Sequence, residues 1–248
     1  MNHEIEYAVL CNKGKVRDKN QDNFWCIGSY LEAENEGLKE VYSKVVRVSA
    51  SPAFVVFDGL GGEQQGEVAA YIAANEFDTL YINNSKENLK QFLLDSCMTM
   101  NQKICEYASE QCIQRIGTTV AMLMFDSKSI HVCNVGDSRV YQFRDNNLTQ
   151  LSYDHLATYL KKKKLPLTQN LGIPEEEFLI EPFITKNEYR KGDRFLVCSD
   201  GLTDMIHDEE ISFLLGSRCI RVATERLMKL ALKRGGVDNI TIIVCEVR

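Results

Sequence analysis

The feature that most restricts this chain is a pattern repeated where its apolar runs begin or end. FVVFDGLGG closes one β-branched and aromatic run with Asp58-Gly59-Leu60, and FLVCSDGL closes another with Asp200-Gly201-Leu202. CNVGDSR sets Asp137 at a hairpin turn, GGVDNIT sets Asp238 directly ahead of the last apolar run, and RDKNQDNFW sets Asp22 at the start of an early one. Taken singly, each aspartate reads as a turn former, because its carboxylate bonds nearby backbone amides. Together they say more. Strands packed in a sandwich bring their ends together, and carboxylates gathered there repel one another unless a cation compensates them. Hard oxygen ligands without His or Cys suit Mg²⁺ or Mn²⁺ better than zinc. Glycine directly after Asp58 lets the backbone carbonyl approach an ion or its water with no Cβ in the way.

The stretches between these aspartates set the fold class. Strands are predicted over residues 4–11, 24–27, 45–48 and 54–57, where β-branched and aromatic residues dominate. Residues 28–43, acidic and glycine-containing, read as an exposed connection. Helical spacing takes over across 63–80, and Asn84-Ser85 is a candidate cap for a second long helix running to about residue 112. Strands return over 118–125, 129–135 and 140–143, with tight turns at 126–128 and 136–138. A short helix over 154–163, strands over 178–185 and 195–199, a helix over 223–233 and a strand over 240–247 complete the pattern. Two helices grouped between runs of antiparallel strands predict an α+β layered sandwich. With no internal repeat and no proline-rich linker, 248 residues read as one catalytic-sized unit.

Charge and cysteine usage exclude several classes. A formal net charge of −6 without a basic stripe argues against nucleic-acid binding, and weakly against anionic membranes. The cysteines are nine in number, scattered and without a CxxC pair, as expected of reduced thiols in the cytoplasm. The N-terminal MNHEIEYAVL lacks a signal-peptide layout, and no apolar run approaches the roughly 18 residues that span a bilayer. A cytoplasmic location follows as the expectation.

A carboxylate site holding two divalent ions about 3.5–4 Å apart activates a bridging water as nucleophile. Phosphate monoesters require rate enhancements of up to about 10²¹, so electrostatic stabilisation is the main task at such a centre. Arg17, shortly before Asp22, stands within reach of a phosphate bound there, although an arginine's ordinary use is a surface salt bridge.

These residues resemble the PPM family, the metal-dependent type 2C protein phosphatases, in its compact bacterial form. The resemblance covers nearly the whole chain through ordered blocks: Arg17-x-x-Asn20-Gln21-Asp22, Asp58-Gly59-x-Gly61-Gly62, Gly117-Thr118-Thr119 and Gly136-Asp137-Ser138-Arg139. It continues through Leu148-Thr149, Asp154-His155, Thr168-Gln169-x-Leu171-Gly172, Ser199-Asp200-Gly201-Leu202 and Asp238-Asn239-Ile240-Thr241. It implies a four-layer α-β-β-α sandwich, two antiparallel sheets flanked by helices with a metal cleft at one end, over a single catalytic domain 1–248. It further implies that Asp22, Asp58, Asp200 and Asp238 hold two core Mn²⁺ or Mg²⁺ ions with the Gly59 carbonyl. Asp58 would bridge them, Asp137 would help Asp200 hold a third, weaker ion, and Arg17 would bind the substrate phosphate. Arg17, Asp22 and Asp58 are thus the expected catalytic set, while Thr118, Thr119, Ser138 and Arg139 look architectural. The implied reaction is hydrolysis of phosphoserine and phosphothreonine on cytosolic proteins, reversing a Ser/Thr protein kinase, by a monomer. Leu60 departs from the pattern: animal members carry a histidine after Asp-Gly, proposed as general acid. The segment between His155 and Asp193 is short for the flap beside the site.

Two other readings compete. Cys-x₅-Arg, the mark of a thiol-dependent phosphatase, occurs at Cys11 to Arg17 and at Cys133 to Arg139, but neither has a preceding His, and a reactive thiolate needs an electropositive loop. A non-catalytic phosphoprotein-binding relative would normally have lost one of the carboxylates. Lys161 to Lys164 reads as a solvated face, His155 as structural beside an N-capping Asp154, and Phe24 and Trp25 as core.

Overall fold

The computed structural model describes residues 3–60, 65–83, 88–160 and 165–248. The chain opens with strands β1 (Glu4–Asn12), β2 (Asp22–Cys26), β3 (Tyr42–Arg47) and β4 (Ala53–Leu60), then helices α1 (Gly66–Asn83) and α2 (Leu89–Glu110). Strands β5 (Gly117–Thr118), β6 (Val120–Phe125), β7 (Ser129–Val135), β8 (Arg139–Arg144), β9 (Asn147–Gln150), β10 (Phe183–Glu188) and β11 (Arg194–Cys198) follow. Helices α3 (Asp200–Thr203), α4 (Asp208–Leu215) and α5 (Ile220–Lys233) precede the last strand, β12 (Ile240–Val247). One sheet has the order β3-β1-β12-β11-β8-β9 and the other β10-β7-β6-β4-β2, with β5 pairing the end of β4. Every pairing is antiparallel.

Strand periodicity explains the layers. In β2 and β4, Trp25, Val55 and Phe57 join Ala69, Ala73 and Phe77 of α1 and Met100 of α2 in one core. Their neighbours Phe24, Phe54 and Val56 join Tyr7, Phe195 and Ile243 of the other sheet in a second core. A third core forms where Ala8, Leu196, Ile242 and Val244 meet Leu202, Ile211 and Leu227 from the helices α3, α4 and α5. Each sheet is thus covered on both faces, so β6 and β7 are buried at every position, and β6 reads as a continuous apolar run. The result is the expected α-β-β-α sandwich. Trp25, the sole tryptophan, lies under α1 and donates from Nε1 to Asp78 Oδ1 at 2.8 Å.

Several local expectations are corrected. No helix forms over residues 154–160; the Asp154 carboxylate is taken by Arg139 instead of capping, and the backbone of His155 bonds Gly136 and Thr168. The strand expected over 178–185 is Phe183–Glu188, starting after Pro182, which has no N–H to give a ladder. Expected strand 118–125 breaks at Thr119 into β5 and β6. Helix α4 and strand β9 were not foreseen; β9 is reached through Asp145 and Asn146, both at positive φ in a tight hairpin turn. Helix α2 is capped by Asn88, whose side chain accepts from Gln91 N. The expected cap at Asn84-Ser85, the glycines Gly61 and Gly62 and the Lys161 to Lys164 run lie outside the described residues.

Candidate metal centre

The β2–β4 register sets Asp22 directly opposite Asp58. Cα atoms at such positions are about 4.5–5.5 Å apart, and like charges facing one another there are destabilising. The other sheet supplies the rest. Ser199, ending the run of β11, donates from Oγ to Asp22 Oδ2 at 2.7 Å, and Thr241 of β12 donates from Oγ1 to the same oxygen at 2.7 Å. Asp22 is therefore clamped across the gap between the sheets. Asp200, the next residue, opens α3, and Asp238 stands just ahead of β12. Asp137 occupies the β7–β8 turn after Gly136 at φ +106°.

These groups also act on one another through their charges. Burial, chiefly, with the charges of Asp200 and Asp238, pushes Asp22 up to about 7 despite its two hydroxyl donors. Asp58 is driven well above the carboxylate range by loss of solvent and by Asp22, Asp200, Asp137 and Asp238, in that order. All five sequence-predicted aspartates are thus gathered at one edge of the sandwich. Asp22 Oδ1 is buried and accepts no hydrogen bond. A buried acceptor without a donor, amid like charges, is the chemistry a divalent cation satisfies. The donor set is oxygen throughout, which fits Mg²⁺ or Mn²⁺. Among the described residues no three or more His, Cys, Asp or Glu already stand at ligand-holding distances. The aspartates are neighbours, not a closed shell.

Arg17 Nη2 donates to Asp238 Oδ2 at 2.7 Å. The arginine expected to meet phosphate is therefore paired with a member of the aspartate group. The segment carrying it is pinned by Asn239, whose Oδ1 accepts from Gln21 N at 2.9 Å and whose Nδ2 donates to Lys13 O and Lys19 O at 2.8 and 2.9 Å. Lys19 pairs with Glu67 at the start of α1, and Glu67 also accepts from Gln21 Nε2.

Two glycines set the spacing. A Cβ on Gly59 would lie 2.2 Å from Gly66 O and 2.5 Å from Gln21 O, so glycine here is first a requirement of packing α1 against β4. On Gly201 it would lie 1.9 Å from Asn239 O, which is what draws Asp200 and Asp238 together. The architectural residues act on Asp58 through its backbone: Thr118 Oγ1 and Thr119 N donate to Asp58 O at 3.0 and 2.8 Å. Thr119 Oγ1 in turn contacts Ser138 Oγ at 2.7 Å. Arg139 grips Asp154 with Nε and Nη2. His155 is buried, its Nδ1 accepting from Gly136 N at 3.1 Å, and burial lowers its pKa.

Sequence reasoning assigned no task to Ser199, Thr241 or Asn239. Their signal was position: each adjoins or follows by a few residues an aspartate at a strand end, where a short polar side chain reaches a neighbouring carboxylate or backbone group. The thiol alternatives find no support. Cys11 and Cys133 are buried in strands, burial first of all pushes Cys11 up to about 12 and Cys133 well above the ordinary thiol, and neither lies in an electropositive loop.

Comparison with known proteins gives a family and a fold match. The family model for protein phosphatase 2C matches residues 42–234, a stretch holding Asp58, Asp137 and Asp200. The serine/threonine protein phosphatase PstP of Mycobacterium tuberculosis is 28% identical over 254 residues, covering 98% of this chain and 45% of that protein. This chain thus spans less than half the length of that relative. The serine/threonine phosphatase stp of Listeria welshimeri is 26% identical over 252 residues, covering 95% of this chain and 93% of its own. The crystal structure of the catalytic domain of PstP in complex with two manganese ions superposes with a TM-score of 0.80 at 26% identity, covering 99% of each chain.

Proposed function

Because this chain belongs to the protein phosphatase 2C family, we propose that it is a metal-dependent phosphatase hydrolysing phosphoserine and phosphothreonine on proteins. The observation that carries the reading is the facing pair Asp22 and Asp58, ringed by Asp137, Asp200 and Asp238 with Arg17 alongside. Asp22, Asp58, Asp200 and Asp238, with the Gly59 carbonyl, would hold two Mn²⁺ or Mg²⁺ ions, and Asp137 with Asp200 a third, weaker one. Bound there, such ions would supply an activated water as nucleophile and offset phosphoryl charge.

The protein's own contribution is placement. Ser199 and Thr241 fix one oxygen of Asp22, leaving Oδ1 for a cation. Thr118 and Thr119 hold the Asp58 backbone, so the carboxylate at the end of β4 is presented from a rigid strand. Arg17 would exchange Asp238 for the phosphoryl oxygens, a planar fork matched to that ligand. Leu60 has no proton to give, so the leaving alkoxide is not protonated from that position.

The same reading places the enzyme in the cytoplasm, as a monomer whose residues 1–248 form one catalytic unit, acting on substrates of a Ser/Thr protein kinase. No helix among the described residues is long and apolar enough to cross a membrane. The test is phosphate release from a phosphothreonine peptide with and without Mn²⁺, for the wild type and Asp58→Asn. Manganese-dependent turnover that both EDTA and the substitution abolish is expected. Turnover indifferent to metal would overturn the assignment.

A further inference from the structure

Two hydroxyls meet on one oxygen of Asp22, and their surroundings fix the direction of each hydrogen. Ser199 Oγ already accepts from Thr241 N at 3.0 Å, and its own hydrogen goes to Asp22 Oδ2 at 2.7 Å. Thr241 Oγ1 stands 2.7 Å from the same oxygen and 3.3 Å from Cys11 Sγ, its partner in the β1–β12 register. A hydroxyl has one hydrogen to give, and the shorter bond to an ionised carboxylate takes it. The Cys11 thiol is left to donate, weakly, to Thr241 Oγ1.

The arrangement is also braced. Ser199 N donates to Thr241 O at 3.2 Å, so the two hydroxyl residues tie the end of β11 to β12 while both reach across to β2. Asp22, Ser199, Thr241 and Cys11 are all buried, with no water to replace a lost donor. Each carboxylate oxygen has about two lone-pair sites, and the hydroxyls occupy both of those on Oδ2. Oδ1, buried and without a donor, is the oxygen that remains. Asp22 so held offers a cation one oxygen, not two.

Divalent ions differ in what they ask of a carboxylate. Mg²⁺ demands a near-ideal octahedron at about 2.0–2.1 Å, which single carboxylate oxygens and waters fill. Ca²⁺ takes roughly 6–8 oxygens at about 2.3–2.6 Å and engages carboxylates through one oxygen or both. We infer that Ser199 and Thr241 set the metal preference of the aspartate centre: by denying the second oxygen of Asp22, they favour Mg²⁺ over Ca²⁺. Theirs is a positioning role, exerted through Asp22. The inference rests on the metal-dependent reading of this centre.

The experiment needs no substrate. Mn²⁺ is the reporter, because its free-ion electron paramagnetic resonance signal falls as the protein binds it. Mg²⁺ and Ca²⁺ are each titrated against bound Mn²⁺, for the wild type, Ser199→Ala, Thr241→Val and Thr241→Ser. In Ser199→Ala and Thr241→Val, Ca²⁺ should gain on Mg²⁺ as a displacer by about tenfold, the worth of one hydrogen bond to a charged group. Thr241→Ser keeps the hydroxyl and should keep the wild-type ratio. Both competitors carry the same charge, so a general loosening of the site moves both midpoints together and leaves their ratio alone. An unchanged ratio in Ser199→Ala and Thr241→Val, or an equal change in Thr241→Ser, overturns the inference while the metal reading stands. A wild-type protein that leaves the Mn²⁺ signal untouched overturns both. A crystal structure of the wild type grown with Mn²⁺ decides the point without any substitution: Asp22 should meet the ion through Oδ1 alone, with both hydroxyls still on Oδ2. Contact through both oxygens overturns the inference.

Discussion

At the scale of single residues, the site is defined by charge repulsion that the fold enforces. Asp22 and Asp58 face each other across adjacent strands, a position fixed by the β2–β4 register. Removing one charge should therefore stabilise the metal-free protein while removing its response to metal. We expect Asp58→Asn in EDTA to melt roughly 2–4 °C above the wild type, the shift that about 1 kcal/mol produces in a chain of this size. The same variant should lose the upward shift that Mn²⁺ gives the wild type; calorimetry with and without Mn²⁺ reads both, and a variant keeping the full manganese shift would show that Asp58 is no ligand. His155 offers a separate check. Burial holds its folded pKa below the unfolded value, so the unfolded chain takes up the proton first. Its contribution to stability is fully present above about 6.5, the unfolded pKa, and is lost as pH falls from there through the folded value. NMR titration should find the His155 ring neutral at pH 7 and protonating below 6.5. A value at or above 6.5 would contradict the buried, neutral ring.

At the scale of elements, the centre depends on how strand ends are locked to the loops beside them. Asn239 satisfies three backbone groups of the segment that carries Arg17 and leads into Asp22. Asn239→Ala leaves those groups without partners, and urea denaturation should show a loss of about 1–3 kcal/mol. Its kcat/KM should fall further than that of a surface control, because Arg17 and Asp22 are released together. Gly201→Ala forces a Cβ against Asn239 O and should cost about 1–3 kcal/mol, as overpacking of a tight backbone contact does. Wild-type stability in Gly201→Ala would mean that α3 and β12 approach less closely than described. The unforeseen elements have physical reasons too. DEEISFLL is short, and its amphipathic stripe spans only two turns, too little for periodicity to separate it from a loop. The 154–163 segment carries a helix-like start, but its aspartate is more valuable to the half-buried guanidinium of Arg139 than to a cap.

At the scale of the whole molecule, three apolar cores share two sheets: each sheet contributes one face to the core between them and the other to a helical layer. A layer cannot leave without exposing a sheet face, so unfolding should be a single transition. Trp25, which reports only the core beneath α1 and α2, gives the test. Its fluorescence and the far-ultraviolet circular dichroism should follow one urea curve, since the dichroism averages all layers. Separate midpoints would mean that the α1–α2 layer melts independently.

The amino-acid order by itself determined the layered sandwich and the aspartates, because both are written in local pattern. Period-two apolar residues announce strands, helical spacing announces α1, α2 and α5, and an aspartate beside glycine or asparagine at a strand end announces itself wherever it falls. What only the tertiary structure decided is which distant groups share an atom. Ser199 and Thr241 lie 177 and 219 positions from Asp22 along the chain, yet both spend their hydroxyl hydrogens on one of its oxygens. Arg17 reaches Asp238 across 221 positions. Hydrogen bonds and charge repulsion act over a few ångströms of space, and no spacing in sequence reports that distance until packing two sheets brings their ends to one edge.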